Sequence, residues 1–202
     1  KFMIASYVAL LTMYVIHLII LAIMGINPIR YVKKTLEVLI FAFTSRSSAG
    51  ALPLNVQTQT QRLGVPEGIA NFSASFGLSI GQNGCAGIYP AMLAIMVAPV
   101  AHVDIDIPFI LTLIAVVVIS SFGVAGVDGG ATFASILVLS TLNLPVALAG
   151  VLISIEPIID MGRTALNVND SILAGTGTAR LTGNLDKEKF NSNHYGELST
   201  ES

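Results

Sequence analysis

The chain has 202 residues, of which 53% are hydrophobic and only 11% charged, with a formal net charge of -2 and a mean hydropathy of +0.78. Soluble domains carry about 25% charged residues, so the composition excludes an ordinary water-soluble domain, and the near-neutral charge excludes the basic face that holds nucleic acid. The single cysteine, Cys85, excludes an internal disulfide and a cysteine-built metal cluster.

Taken in chain order, Phe2–Ile26 is apolar and long enough to span, since about 20 residues cross a ~30 Å hydrocarbon core. It is too long for a signal-peptide core and lacks a small-residue cleavage site. The apolar run starts directly after Lys1, and the chain reads as the C-terminal piece of a longer membrane protein. His17, a lone polar residue in this run, reads as a packing residue or a helix–helix hydrogen bond rather than a proton relay. Asn27-Pro28 ends the segment, and Arg30, Lys33 and Lys34 follow. Leu36–Thr44 is apolar but too short to cross. It leads into Ser45-Arg46-Ser47-Ser48-Ala49-Gly50-Ala51-Leu52-Pro53, and then into the polar run Gln57–Arg62. That pattern predicts a hairpin that dips into the membrane and returns.

Pro66–Ala101 is too long for one uninterrupted crossing and is broken by Gly81-Gln82-Asn83-Gly84-Cys85-Ala86-Gly87. Three glycines and two amides there predict an unwound centre with free carbonyls. Ile107–Ser121 would measure about 22 Å as a helix. A glycine-rich tip over Phe122–Gly130 follows, and apolar Ala131–Leu142 returns. The limbs are too short for two crossings and together too long for one, which predicts a second re-entrant hairpin. Irregular backbone at that depth is tolerated only against protein or a water-filled cavity. Basic residues cluster at Arg30–Lys34, Arg62 and Arg180–Lys189, and none lies in His102–Asp106 or Asn143–Pro145. The positive-inside rule places the first group in the cytoplasm and the second outside, so both flanks of each hairpin fall on one side.

The predicted fold is therefore an all-α polytopic membrane protein, an inverted repeat with two re-entrant helical hairpins and two broken transmembrane helices, as in secondary transporters. Its parts are a transmembrane helix (1–28), a first hairpin (29–65), a broken helix (66–103), a second hairpin (104–144), a last helix with the candidate substrate site (145–182) and a disordered cytoplasmic tail (183–202).

The last helix carries the densest chemistry. Asp160, Arg163, Thr164 and Asn167 share one face at 3.6 residues per turn, with Glu156 one turn earlier. Such groups are expensive to hold in a bilayer and mark a transport or ligand site by default. A carboxylate can take an ammonium, and a guanidinium with an amide can take a carboxylate, so the face suits a zwitterion. The plainer alternative is an internal Asp160–Arg163 bridge that only stabilises a bundle. Pairing two groups does not account for five.

The run Arg46–Pro53, the tip Gly123-Val124-Ala125-Gly126-Val127, and Asp160-Met161-Gly162-Arg163-Thr164 with Asn167 resemble the dicarboxylate/amino acid:cation symporters, the glutamate-transporter family. The resemblance extends to about Leu181. Gln82-Asn83-Gly84-Cys85 and Gly129-Gly130-Ala131-Thr132-Phe133 resemble its bacterial L-cystine uptake branch more than the glutamate or succinate branches. The resemblance implies an elevator-type transport domain in the cell membrane, in contact with lipid, with most of the scaffold and the homotrimer contacts in a missing N-terminal half. It also implies site roles. Ser48 and Asn167 would hold the substrate α-carboxylate. Asp160, with the main-chain carbonyls of Arg46 and Val127, would hold the α-ammonium. Arg163 would face the distal carboxylate, and Thr164 would line the pocket. For cystine, with amino-acid groups at both ends, an arginine near the distal end makes chemical sense.

The cation sites depart from the family pattern. Glutamate-type members carry Asn-Met-Asp-Gly-Thr where this chain has Gly81-Gln82-Asn83-Gly84-Cys85. Asn83 replaces the acidic ligand, and the carboxylate expected near the end of the last helix falls at Ser171, with Asp170 one residue early. Asn83, Asn167 and Asp170 remain candidate ligands. A second Na⁺ position would rest on the carbonyls of Ser79, Ser121, Phe122 and Val124. The coupling ion is thus Na⁺ or H⁺, and Cys85 reads as a small packing residue.

The function so implied is cation-coupled import of an amino acid, L-cystine, with a C4-dicarboxylate or acidic amino acid as the alternative substrate. No organic cofactor and no bond-making chemistry are involved. An intramembrane aspartyl protease would need Asp128 and Asp160 as a pair sharing one proton. Asp128 lacks the Gly-x-Gly-Asp context of those proteases, and Arg163 would keep Asp160 ionised. A channel fits less well, because an acid and a base in a closed pocket suit binding better than rapid permeation.

Overall fold

The computed structural model describes residues 2–123, 129–152 and 155–193, and every regular element among them is helical. Helix α1 (Phe2–Ile23) is apolar throughout and presents Ile4, Val8, Leu11, Val15 and Ile19 outward. It is long and apolar enough to cross a membrane, as is the composite segment Glu67–Val97.

Helix α2 (Pro28–Ser45) starts where sequence chemistry demands. Pro28 has no N–H to lose at the first turn, and the Asn27 side chain accepts from the Arg30 N–H at 3.1 Å. The helix ends at Arg46, in the left-handed region at φ 55°. Its 18 residues double the apolar run read at Leu36–Thr44, so this limb is longer than expected. The reason is that Lys34 folds inward instead of marking a polar boundary. Its ammonium is buried and donates to the carbonyls of Arg62 and Lys189, each at 2.7 Å. The return limb is short. It comprises α3 (Leu52–Gln57), opened by Pro53, and a π-helical turn over Thr58–Arg62.

Helix α4 (Glu67–Ser79) stops at Ile80, and the chain resumes as a π-helical turn over Asn83–Ile88 that runs into α5 (Tyr89–Val97). The unwound stretch expected over Gly81–Gly87 is therefore confined to Ile80–Gln82. The glycines from Gly84 onward are helical, and the Gly77 carbonyl near the end of α4, which accepts from the Gly81 N–H at 3.0 Å, also accepts from the Gln82 side-chain amide at 2.9 Å. Helices α6 (Ile107–Ser121) and α7 (Gly130–Thr141) form the next antiparallel-ordered pair of apolar limbs. Asp106 caps α6 by accepting from the Phe109 N–H at 2.8 Å. Gly129, at φ 82°, supplies the left-handed residue that starts α7.

A short α8 (Ala147–Leu152) precedes α9 (Glu156–Leu181), the 26-residue axis of the molecule. Two apolar clusters meet on it. Val168, Ile172 and Ala179 of its second half pack with Leu21, Tyr31, Val38 and Leu63. Ile159 of its first half packs with Tyr89, Leu93, Val138 and Leu139.

The stretch from 183 onward, expected to be disordered, is ordered through Asn193. Asp186 caps α10 (Lys187–Asn191) by accepting from the Lys189 N–H at 2.9 Å, and its own N–H donates to the Gly64 carbonyl at 2.9 Å. Leu185 and Phe190 are buried in the cluster around the second half of α9. Two apolar anchors and a helix cap in an otherwise polar segment suffice to seat it.

Close approach of α4 to α9 depends on Gly77, where a Cβ would sit 2.5 Å from the Ser171 Cβ. Gly77→Ala is expected to destabilise the protein by about 1–3 kcal/mol through overpacking. Thermal unfolding of the purified protein in detergent checks this, and an unchanged midpoint would contradict the α4–α9 contact.

Candidate functional site

The polar face of α9 is built as the helical spacing requires. Side chains on a helix lean toward its N-terminus, so the Arg163 guanidinium reaches back over the preceding two turns. Its Nη2 donates to Asp160 Oδ1 at 2.9 Å and to Glu156 Oε1 at 3.1 Å. The plane lies over the Tyr89 ring at 4.2 Å from the centroid, a favourable cation–π placement. Arg163 is 1% exposed, and among the described residues its Nε and Nη1 have no hydrogen-bond partner. Unpartnered guanidinium donors in a buried site are costly, and they make a ready seat for a carboxylate.

Asp160 is held from the other side as well. Arg46 Nε donates to Asp160 Oδ2 at 3.2 Å. The resemblance assigns Arg46 a main-chain carbonyl role; here its side chain, from the turn after α2, also reaches the acid. Glu156 completes the chain of charges by accepting from Thr132 Oγ1 of α7 at 2.6 Å. Among the described residues, Arg46, Cys85, Gly129, Gly130, Ala131, Glu156, Pro157 and Asp160 line a cavity of about 160 Å³. The turn after α2 and the start of α7 thus meet the last helix here.

Ser48 and Asn167 lie elsewhere, along a separate small cleft with Asn55, Gln82 and Ser171. Asn167 is fully engaged by the broken segment. Its Oδ1 accepts from the Gly84 N–H at 2.7 Å, and its Nδ2 donates to Gln82 Oε1 at 2.9 Å and to Cys85 Sγ at 3.1 Å. Thr164 is buried beside Arg163. Val127, expected to offer a carbonyl to the ammonium, lies outside the described residues, as do Val124 and Asp128.

The candidate cation ligands are gathered in part. Asn83, Ser121 and Asp170 line a cavity of about 370 Å³ with Gly81, Gln82 and Val117. Asp170 Oδ1 is within ion-pair distance of His17 Nε2 at 3.1 Å, and the Asn83 main-chain N–H also points to this carboxylate, though among the described residues neither oxygen has a well-aligned hydrogen bond. A buried carboxylate left so in a cavity fits a small monovalent cation or a proton. Ser79 is exposed and bonds to its own helix, Oγ donating to the Ser75 carbonyl at 3.2 Å, and Phe122 is exposed. His17 also meets Asn169 at 3.0 Å, and Asn169 accepts from the Tyr31 hydroxyl at 3.0 Å. The lone histidine of α1 is thus a helix–helix bond, as expected, with a carboxylate partner that sequence spacing cannot reveal.

Comparison with known proteins gives a consistent result. The sodium:dicarboxylate symporter family matches residues 1–181. The L-cystine uptake protein TcyP of Shouchella clausii (strain KSM-K16) is 70% identical over 190 residues, covering 94% of this chain and 41% of that protein. The proteins of the same description from Bacillus licheniformis and Bacillus anthracis are 66% and 64% identical, over 94% and 95% of this chain and 41% of each relative. The chain therefore spans 41% of the length of these relatives.

Replacing Asn167 with Leu leaves the Gly84 N–H and Gln82 Oε1 without partners, at about 1–3 kcal/mol for each buried group. Asn167→Leu is expected to lower the unfolding midpoint clearly more than Asn167→Asp, and detergent melting curves of the two variants make the comparison.

Proposed function

Because the chain belongs to the sodium:dicarboxylate symporter family, we propose that it forms the transport core of a cation-coupled importer of L-cystine. The observation that carries the reading is the set of matched charges on α9, where Asp160 lies between two guanidinium groups beside a cavity. An ammonium can displace Arg46 from Asp160, and a carboxylate can take the open donors of Arg163. The description of the 64–70% identical relatives as L-cystine uptake proteins supplies the substrate.

In this proposal Asp160 binds the near ammonium, aided by main-chain carbonyls of Arg46 and Val127. Ser48 and Asn167 turn toward the near carboxylate, Thr164 lines the pocket, and Arg163 binds the far carboxylate. The coupling ion, Na⁺ or H⁺, binds around Asp170, Asn83 and Ser121. Access alternates by an elevator movement against a trimeric scaffold in the cell membrane, with both hairpins re-entrant and the C-terminus cytoplasmic. The process is transport and not catalysis. Asp160 is paired with two guanidinium groups, whereas the acid pair of a protease shares its proton between two carboxylates.

Labelled L-cystine uptake into vesicles containing the full-length protein, with and without Na⁺ and pH gradients, tests the reading. Asp160→Asn is expected to reduce uptake by about 30-fold or more at unchanged expression, since truncating one partner of a desolvated charge contact costs about 2–5 kcal/mol. Near-normal uptake by that variant would leave Asp160 a structural residue. Stronger competition by succinate or aspartate than by cystine would favour the dicarboxylate alternative.

The topology has its own check. In a Cys85→Ala background, a cysteine at the exposed Gln61 should label from the cytoplasm, and cysteines at Asp104 and Asn143 from outside. Opposite sidedness for Asp104 and Asn143 would make α6 and α7 true crossings.

A further inference from the structure

Two carboxylates, not one, face the cavity at the start of α9. Glu156 and Asp160 are separated by four helical residues, a rise of about 6 Å, and both lean on the same Arg163 nitrogen. Asp160 accounts for one ammonium. Asp160 also accepts from Arg46, so two carboxylates and two guanidinium groups meet here, and an ammonium that displaces Arg46 leaves Glu156 beside Arg163 with its carboxylate toward the cavity. The carboxylate of Glu156 lies in the cavity wall, fixed there by the Thr132 hydroxyl. Glu156 is partly exposed, and its cation among the described residues, Arg163, is shared with Asp160.

L-Cystine has the complementary form. It carries an ammonium and a carboxylate on each of two α-carbons, and α-carbons joined through a disulfide lie about 5.5–6 Å apart. That separation matches one turn of α9. We propose that Glu156 is the residue that selects cystine over dicarboxylates, by binding the ammonium at the far end of the substrate while Asp160 binds the near one. This rests on the cystine reading above. Arg163, between the acids, then offers Nε and Nη1 to the far carboxylate, so both ammonium groups and the far carboxylate meet an opposite charge, while the near carboxylate is left to the neutral donors of Ser48 and Asn167. A dicarboxylate such as aspartate brings a far carboxylate and no far ammonium, so Glu156 repels it.

The test uses competition against labelled L-cystine in vesicles containing the full-length protein. The competitors are unlabelled cystine, the mixed disulfide of cysteine with 3-mercaptopropionic acid, which lacks the far ammonium, and the mixed disulfide of cysteine with cysteamine, which lacks the far carboxylate. Wild type is expected to prefer cystine to the mercaptopropionic disulfide by roughly tenfold to a hundredfold, the range for one charge-assisted hydrogen bond. In Glu156→Gln, cystine should weaken by that factor while the mercaptopropionic disulfide does not, so that the preference vanishes. The cysteamine disulfide should weaken along with cystine. Glu156→Asp, which keeps the charge, should keep part of the preference. Equal weakening of cystine and the mercaptopropionic disulfide in Glu156→Gln overturns the assignment and leaves Glu156 a support for Arg163, as does a wild type that fails to distinguish the two. A wild type that cystine does not inhibit removes the transport reading itself, and the assignment with it.

Discussion

The buried guanidinium of Arg163 is the constraint around which the rest is arranged. An arginine with 1% exposure in an apolar protein is tenable only with paired charge and a suitable surface for its plane. Glu156 and Asp160 provide the charge, and the Tyr89 ring provides the surface. Those three partners fix the start of α9 and the beginning of α5 relative to each other. They also bring in the hairpins, since Arg46 reaches Asp160 and Thr132 reaches Glu156.

Helix α9 transmits this arrangement along the molecule. Its first half belongs to the cluster with α5, α6 and α7, and its second half to the cluster with α1, α2 and the tail. Between them lie Asn167 against the Gly84 N–H and Asp170 near His17, polar contacts that an apolar bundle accommodates only where partners are fixed. Glycines permit the approach. A Cβ at Gly84 would come within 3.0 Å of the Arg163 backbone, and one at Gly175 would collide with Gln59. Substrate and coupling ion, in the proposed function, would then act on two stretches of one continuous helix.

Much of this was legible from residue order. The 3.6-residue period placed Glu156, Asp160 and Arg163 on one face, and Asn27-Pro28 marked the end of the first apolar run, where Asn27 also caps the next helix. The missed features are long-range. Lys34 reads as a charged boundary because nothing nearby in sequence shows the two carbonyls that satisfy it. The segment after Gly183 reads as a loose polar tail because Leu185 and Phe190 gain their meaning only from the groove that receives them. The glycine run was expected to unwind, yet most of it stays helical, with the Gly84 N–H and the Gln82 side chain both engaged by Asn167 of α9, a partner far off in sequence.

The π-helical turn over Asn83–Ile88 has a consequence for register. Such a turn accommodates one more residue than an α-helical turn, and each α-helical residue advances by about 100°. Every side chain of α5 is therefore rotated by about that angle from where an uninterrupted α-helix would have aimed it. Tyr89 is the first residue beyond the turn, so the orientation of its ring beneath Arg163 is a matter of phase as much as of residue type. Deletion of Ala86 alone would leave Asn83, Cys85 and Tyr89 in the sequence and still turn the aromatic floor of the site away.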